Sequence, residues 1–120
     1  MKLGVVGSRK FNNYELLKSE LNKFKKITLI VSGGAPGADI LSEEYATAYN
    51  IPTQIFYPNY EVYGRSAPFK RNTQIVENSD FIIAFWDSKS NGTKDSMNKA
   101  KRLNKPVKII QYELIGLEMF

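Results

Sequence analysis

"LIVSGGAPGADILSEEYA" (residues 29–46) sets an apolar run against Gly33, Gly34, Pro36 and Gly37, and then against an amphipathic run. The apolar run is nearly continuous, as in a strand covered on both faces of a parallel sheet. Beyond the glycines, Leu41, Tyr45 and Ala48 recur at helical spacing. Glycines between a strand and a helix admit two readings. They make a tight turn, or they let an anion approach bare backbone where a helix N-terminus gathers N–H groups and partial positive charge.

Working outward, runs rich in apolar and β-branched residues recur as "KLGVVG" (2–7), "ITLIVS" (27–32), "PTQIFY" (52–57), "DFIIAFW" (80–86) and "PVKIIQY" (106–112). Between them lie helical patterns. Tyr14, Leu17, Leu21 and Phe24 share one face of a first helix, and Met97, Ala100 and Leu103 one face of the last. "PFKRNTQIVENS" (68–79) reads as a further helix with Pro68 near its first turn. The order β-α-β-α-β-α-β-α-β predicts an α/β fold: one domain over residues 1–120, an open five-stranded parallel sheet between helical layers, with right-handed crossovers. The longest irregular segment, "YPNYEVYGRSAP" (57–68), has the length at which structureless loops usually carry function.

Composition narrows the chemistry. A chain of 120 residues buries roughly two-thirds of its unfolded surface, enough for a core without staples. It has no cysteine and no histidine, which removes disulfides, thiolate metal sites, Ser-His-Asp and Cys-His catalysis and the commonest zinc ligand. No metal and no cofactor is expected. No apolar run approaches a membrane span and "MKLGVVGSRKF" is too short for a signal peptide, so a cytoplasmic protein without membrane contact is expected. The net charge of +5 suits nucleic acid, a phosphorylated small molecule or simple solubility, and does not choose among them.

In a parallel sheet every strand-to-helix loop emerges at the carboxyl edge, where ligands of open α/β sheets bind. Those loops read "GSRKFNN" (7–13), "SGGAPGAD" (32–39), "YPNYEVYGRSAPFKRN" (57–72) and "WDSKSNGTKDS" (86–96). Each carries donors or cations. Gly7 and Ser8 turn the chain beside Arg9, a fork suited to phosphate. Gly33, Gly34 and Gly37 precede the second helix, and Arg71 and Asn72 are placed in the first turn of the third. Ser90, Asn91, Gly92 and Thr93 open the last helix, where Ser90 or Asn91 could equally be a cap. Asp39 is either a ligand group or a first-turn carboxylate that complements the helix dipole. Neither G-x-x-x-x-G-K-[ST] nor G-x-G-x-x-G is present, so an ordinary NTPase or NAD dehydrogenase is not expected.

Together, "GSRKFNNYELL", "SGGAPGADILSEEYA", "YGRSAPFKRNTQIVENSDFIIAFWD" and "SNGTKDSMNKAK" resemble the SLOG superfamily, specifically its YspA-like branch, in order over residues 4 to 110. That superfamily includes the DprA/Smf proteins of DNA uptake and the LOG cytokinin-activating phosphoribohydrolases. The resemblance implies a Rossmann-like nucleotide-binding fold and a ligand that is a nucleotide or a derivative such as ADP-ribose. The implied pocket is Gly7, Ser8 and Arg9; Ser32, Gly33, Gly34, Gly37 and Asp39; Arg71 and Asn72; and Asp87, Ser90, Gly92 and Thr93.

One departure bears on turnover. LOG enzymes carry P-G-G-x-G-T-x-x-E, whose glutamate serves N-glycosidic cleavage, and here Ser96 stands at that place. Asp95 is one helical position, ~100°, away. Glu43 and Glu44, on the second helix, and Asp87 are the remaining candidate carboxylates, and no spacing argument selects one. The expectation is binding of a nucleotide-derived or cyclic nucleotide signal without turnover, by sensing or by sequestration, a phage-type sponge for immune signals being one version. Hydrolysis of a nucleoside phosphate or its N-glycosidic bond is the first alternative. DprA-like binding of single strands, with Tyr57, Tyr60 and Tyr63 as stacking residues, is the second. The same tyrosines could instead make a dimer contact, which leaves a homo-oligomer open.

Overall fold

The computed structural model describes residues 1–113, so the last residues of the domain expected over 1–120 lie outside the described ones. The two longest strands pair with each other at the heart of the sheet. In β1 (Lys2–Gly7) residues 3–6 are buried, and in β4 (Phe81–Trp86) residues 82–85 are. Because their side chains alternate between faces, each strand feeds two cores, which demands helices on both sides. β2 (Leu29–Ser32), β3 (Thr53–Ile55) and β5 (Val107–Gln111) complete a five-stranded sheet in the order β3-β2-β1-β4-β5, every pair parallel. The expected α/β fold is observed, and its topology is Rossmann-like.

One face packs Leu3, Val5, Ile30, Ile83 and Phe85 against α1 (Tyr14–Leu21) and α2 (Ala38–Ala48). The other packs Val6, Val31, Ile82 and Ala84 against α4 (Ala67–Glu77) and α5 (Asn91–Arg102). The strand order reverses between β1 and β4, which places a topological switch point at the carboxyl ends of those strands.

Three local expectations change. The segment 57–68 is not irregular: it contains the single-turn helix α3 (Tyr60–Tyr63), capped by the Asn59 side chain, and a 3₁₀ turn over Gly64–Ser66. In α2 the buried residues are Ala38, Asp39, Ser42, Tyr45 and Ala46, with Leu41 partly buried against the same core, while Ala48 is exposed. In α5 the stripe runs through Thr93, Ser96, Met97 and Ala100, and Leu103 is exposed at the cap. Phe24 lies beyond α1, yet the amides of Lys23 and Phe24 continue the turn onto Glu20 and Leu21. Its ring meets that of Phe81 edge-on at 5.1 Å.

Candidate functional site

A groove of about 290 Å³ opens over the switch point. Its floor is the end of β1, and its walls are the first turns of α4 and α5. Gly7 and Arg9 enter it from the loop after β1, and Asp39 from α2. Arg71 and Asn72 face it from α4, and Ser90, Gly92, Thr93 and Ser96 from α5. The structure therefore brings together most of the candidate residues from the four loops. Ser8, Ser32, Gly33, Gly34, Gly37, Asp87 and Glu43 do not line the groove. The groove also has apolar residues that the polar pattern could not flag: Val6 and Ile75 in its depth, Ala35, and Pro68 and Phe69 at the start of α4.

Arg71 sits in the second turn of α4 rather than the first, because the helix begins at Ala67, with Pro68 supplying a preset φ. Its side chain is nearly buried, 8% exposed. Nη1 donates to Gly33 O at 2.6 Å and Nε donates to Asn72 Oδ1 at 3.1 Å. Asn72 Nδ2 in turn donates to Gly92 O at 3.3 Å and to Asp95 Oδ2 at 3.1 Å, and Lys99 Nζ donates to the same Asp95 oxygen at 2.7 Å. One hydrogen-bonded line thus ties the glycine loop, through α4, to the start of α5. Nε and Nη1 are thus both engaged within the protein, which leaves Nη2 as the nitrogen with no hydrogen bond among the described residues. Burial lowers the Arg71 pKa; the Asp39 and Tyr60 side chains oppose that, and the neighbouring charge of Arg9 adds to it.

The glycines answer to the protein itself. A Cβ on Gly33 would lie 2.5 Å from Arg71 Nη1 and 2.9 Å from Asp39 Oδ2. Gly34 has φ +70° and lies under the Tyr57 ring. Gly37, at φ +88°, lies against the carbonyls of Ser8 and Arg9, so the loops after β1 and β2 touch backbone to backbone. Two of the loop's amides are engaged by Asp39. Asp39 Oδ2 accepts the Ala35 N–H at 3.1 Å, and the Gly33 amide adds its own stabilisation of that carboxylate. Asp39 therefore takes the Ala35 and Gly33 amides of this loop from within the chain.

The start of α5 has another arrangement. Ser90 is its cap, with Oγ accepting the Thr93 N–H at 3.4 Å and lying 3.0 Å from Thr93 Oγ1. First-turn amides at Asn91 and Gly92 have no intrahelical acceptor. A Cβ on Gly92 would meet nothing within 4 Å, so this turn faces open space. Asp87 builds the loop that leads here, its Oδ1 accepting the amides of Lys89 at 2.9 Å and Ser90 at 2.8 Å. Burial pushes its pKa up, and those two amides outweigh it, so that the net shift is down. Ser96 Oγ donates to Gly92 O at 3.4 Å. Ser8, 4% exposed, is paired with the Tyr112 hydroxyl instead of facing the groove. The buried Ser32 Oγ and Glu43 Oε2 have no partner among the described residues. No group of acidic side chains able to hold a metal occurs among the described residues.

Burial raises the Asp39 pKa from 3.8 to about 6 against the pull of Ala35 N–H and Arg71, with the charge of Glu43 adding to the rise. A carboxyl with a higher pKa in the folded state binds its proton more tightly there. Its contribution to stability is complete below its unfolded value and is lost as pH rises through about 6. At about 1.4 kcal/mol per pKa unit, stability from this group falls by about 2–3 kcal/mol between pH 4 and 7. Asp39→Asn retains an oxygen acceptor for Ala35 N–H and removes the titration. Urea denaturation of both proteins across that range should show the variant gaining on the wild type as pH rises. Parallel profiles would refute the assignment. Glu20, whose pKa is lowered chiefly by Lys23, and Asp87 contribute in the opposite sense, their stabilisation being lost as pH falls, and do so in both proteins alike.

Two viral proteins are similar to the chain. The chain is 27% identical to the Gene 61 protein of Mycobacterium phage D29 over 113 residues, 86% of this chain and 90% of that one. It is 49% identical over 53 residues to an uncharacterized protein of Acanthamoeba polyphaga mimivirus, a match spanning 42% of this chain and 29% of the mimivirus protein. No family model matches the chain. No solved structure matches it either.

Proposed function

We propose that the chain is a nucleotide-binding module of the SLOG kind, taking a phosphorylated, nucleotide-derived ligand in the groove and sensing or sequestering it without turnover. One observation carries this reading: Arg9, Arg71 and the open first turn of α5 converge on a single groove at the switch point of the sheet. Two guanidinium groups and a helix N-terminus form a setting in which a phosphate is favoured. The carboxylates support binding over cleavage. Asp39 is held by backbone amides, Asp87 and Glu43 lie outside the groove, and Ser96 offers only a hydroxyl bonded to Gly92 O. The likeness to a phage protein supports a phage setting, and an intracellular nucleotide signal would place the chain in the cytoplasm.

Isothermal titration with AMP and ADP-ribose, paired with chromatography of the same mixtures, tests both halves. Saturable binding with no release of base, ribose or phosphate is expected. A protein that ignores both ligands would contradict the binding reading, and release of base would move the chain to the hydrolases. A strip of Tyr60, Tyr63 and Phe69 with Lys70 5.9 Å from the Tyr63 ring favours single-stranded nucleic acid as a second reading. Retardation of an oligonucleotide that weakens steeply with salt would support it.

A further inference from the structure

We propose that Phe69 is the platform on which the planar aromatic part of the groove's ligand stacks, so that the groove selects a nucleobase-bearing phosphate over a bare sugar phosphate. The inference rests on the reading of the groove as a phosphate-ligand site and adds what holds the other end of that ligand.

Five aromatic side chains are exposed on the described surface, Tyr49, Tyr57, Tyr60, Tyr63 and Phe69, and of these only Phe69 lines the groove. It occupies the first turn of α4, 46% exposed. Asn72 and Ile75 follow at successive three-residue steps, so the three form one ladder along the groove wall, with the phenyl ring at the rim. The ring is held from outside. Lys99 Nζ lies 5.8 Å from its centroid, donates to Phe69 O at 2.6 Å and is itself fixed by Asp95. Lys99 lines a separate hollow with Thr73, Arg102 and Leu103 and not the groove, so it braces the ring without occupying the space beside the phosphate-binding groups.

Size points the same way. A space of about 290 Å³ is at the lower limit for small-molecule sites, roughly 300–1,000 Å³. A ligand whose phosphate meets Arg9, Arg71 and the first turn of α5 must extend its remaining part to the rim. There the surface it meets is an apolar ring with Lys99 beside it, matched to a π-face and not to a hydroxylated sugar.

AMP, ribose 5-phosphate and inorganic phosphate, titrated separately into the wild type, Phe69→Ala and Phe69→Trp, test this. Thermal melts of all three proteins verify folding, which the exposure of the ring favours. AMP should bind the wild type about tenfold or more tightly than ribose 5-phosphate does, the gain expected of one stacked base. Phe69→Ala should erase that margin while leaving ribose 5-phosphate within about twofold, and Phe69→Trp should restore it with a fluorescence change on adding AMP. Equal affinities for AMP and ribose 5-phosphate in the wild type would overturn the platform and leave the phosphate site standing. So would a Phe69→Ala protein that keeps the margin, or that weakens all ligands alike. Failure of all three ligands to bind the wild type would overturn the phosphate reading and the platform together.

Discussion

Gly37→Ala loses about 3–5 kcal/mol of folding stability, from the sum of a strained backbone and an overpacked contact. Gly37 holds φ 88° and ψ −129°, where an L side chain is seldom found. Its added Cβ would meet the carbonyls of Ser8 and Arg9, the latter 2.7 Å away. Those atoms belong to backbone packed against backbone and cannot swing aside as a side-chain tip would. With typical domains stable by about 5–15 kcal/mol, such a loss takes a large share of the total. The internal control is Gly92→Ala. No atom lies within 4 Å of a Cβ there and its φ is not positive, so the change should cost nothing or add a few tenths of a kcal/mol through helix propensity. Urea denaturation of both variants decides the matter, and equal midpoints would show that the loops after β1 and β2 do not touch as described.

Arg71→Ala should damage two properties at once. It strands the Gly33 carbonyl and Asn72 Oδ1 in a nearly buried setting and removes the nearest cation from Asp39. An unsatisfied buried group costs about 1–3 kcal/mol, so about 2–4 kcal/mol is expected in all. It should also weaken AMP binding by roughly 1.5–3 kcal/mol, the range for a charge-assisted hydrogen bond. Arg71→Lys keeps the charge but cannot serve Gly33 O, Asn72 and a ligand together, and should fall between the two. The readouts separate the roles. A protein that loses stability but binds AMP with unchanged affinity would make Arg71 a brace alone and remove it from the site.

What could be read from the residues was the periodic part. Nearly continuous apolar runs announced β2 and β4, and Tyr14, Leu17 and Leu21 announced α1, because burial on both faces or one stripe leaves a composition that survives without coordinates. The clustering of Arg9, Arg71, Asn72, Ser90 and Thr93 followed from topology, since parallel strands deliver their loops to one edge. The glycine loop was not legible in the same way. "SGGAPGAD" invites an anion as readily as a turn, and only the positions of Arg71, Tyr57 and the Ser8 and Arg9 carbonyls show that each glycine makes room for a neighbour. Asp39 likewise offered two roles, and its bond to Ala35 N–H is a tertiary fact four residues back along the chain. Phe69 was hidden inside an amphipathic pattern, where an aromatic reads as core.

The strand order has a consequence in time as well as in space. β1 pairs with β2 across a short stretch of chain, but its other neighbour, β4, brings Leu3 opposite Phe81 and Gly7 opposite Phe85. The N-terminal strand therefore waits for residues far downstream before its second edge is covered, and distant pairings of this kind slow folding. During synthesis, β1, β2 and β3 can assemble as a three-stranded intermediate with one side of β1 unpaired. The groove does not exist in that species, because α4 and α5, which form its walls, are delivered only with β4 and after it. A ligand site in the groove, as proposed above, would thus form late, in the step that joins the two halves of the sheet. A ligand held there would latch the finished fold, favouring the joined halves over the separated ones by a free energy that grows with the logarithm of its concentration above Kd.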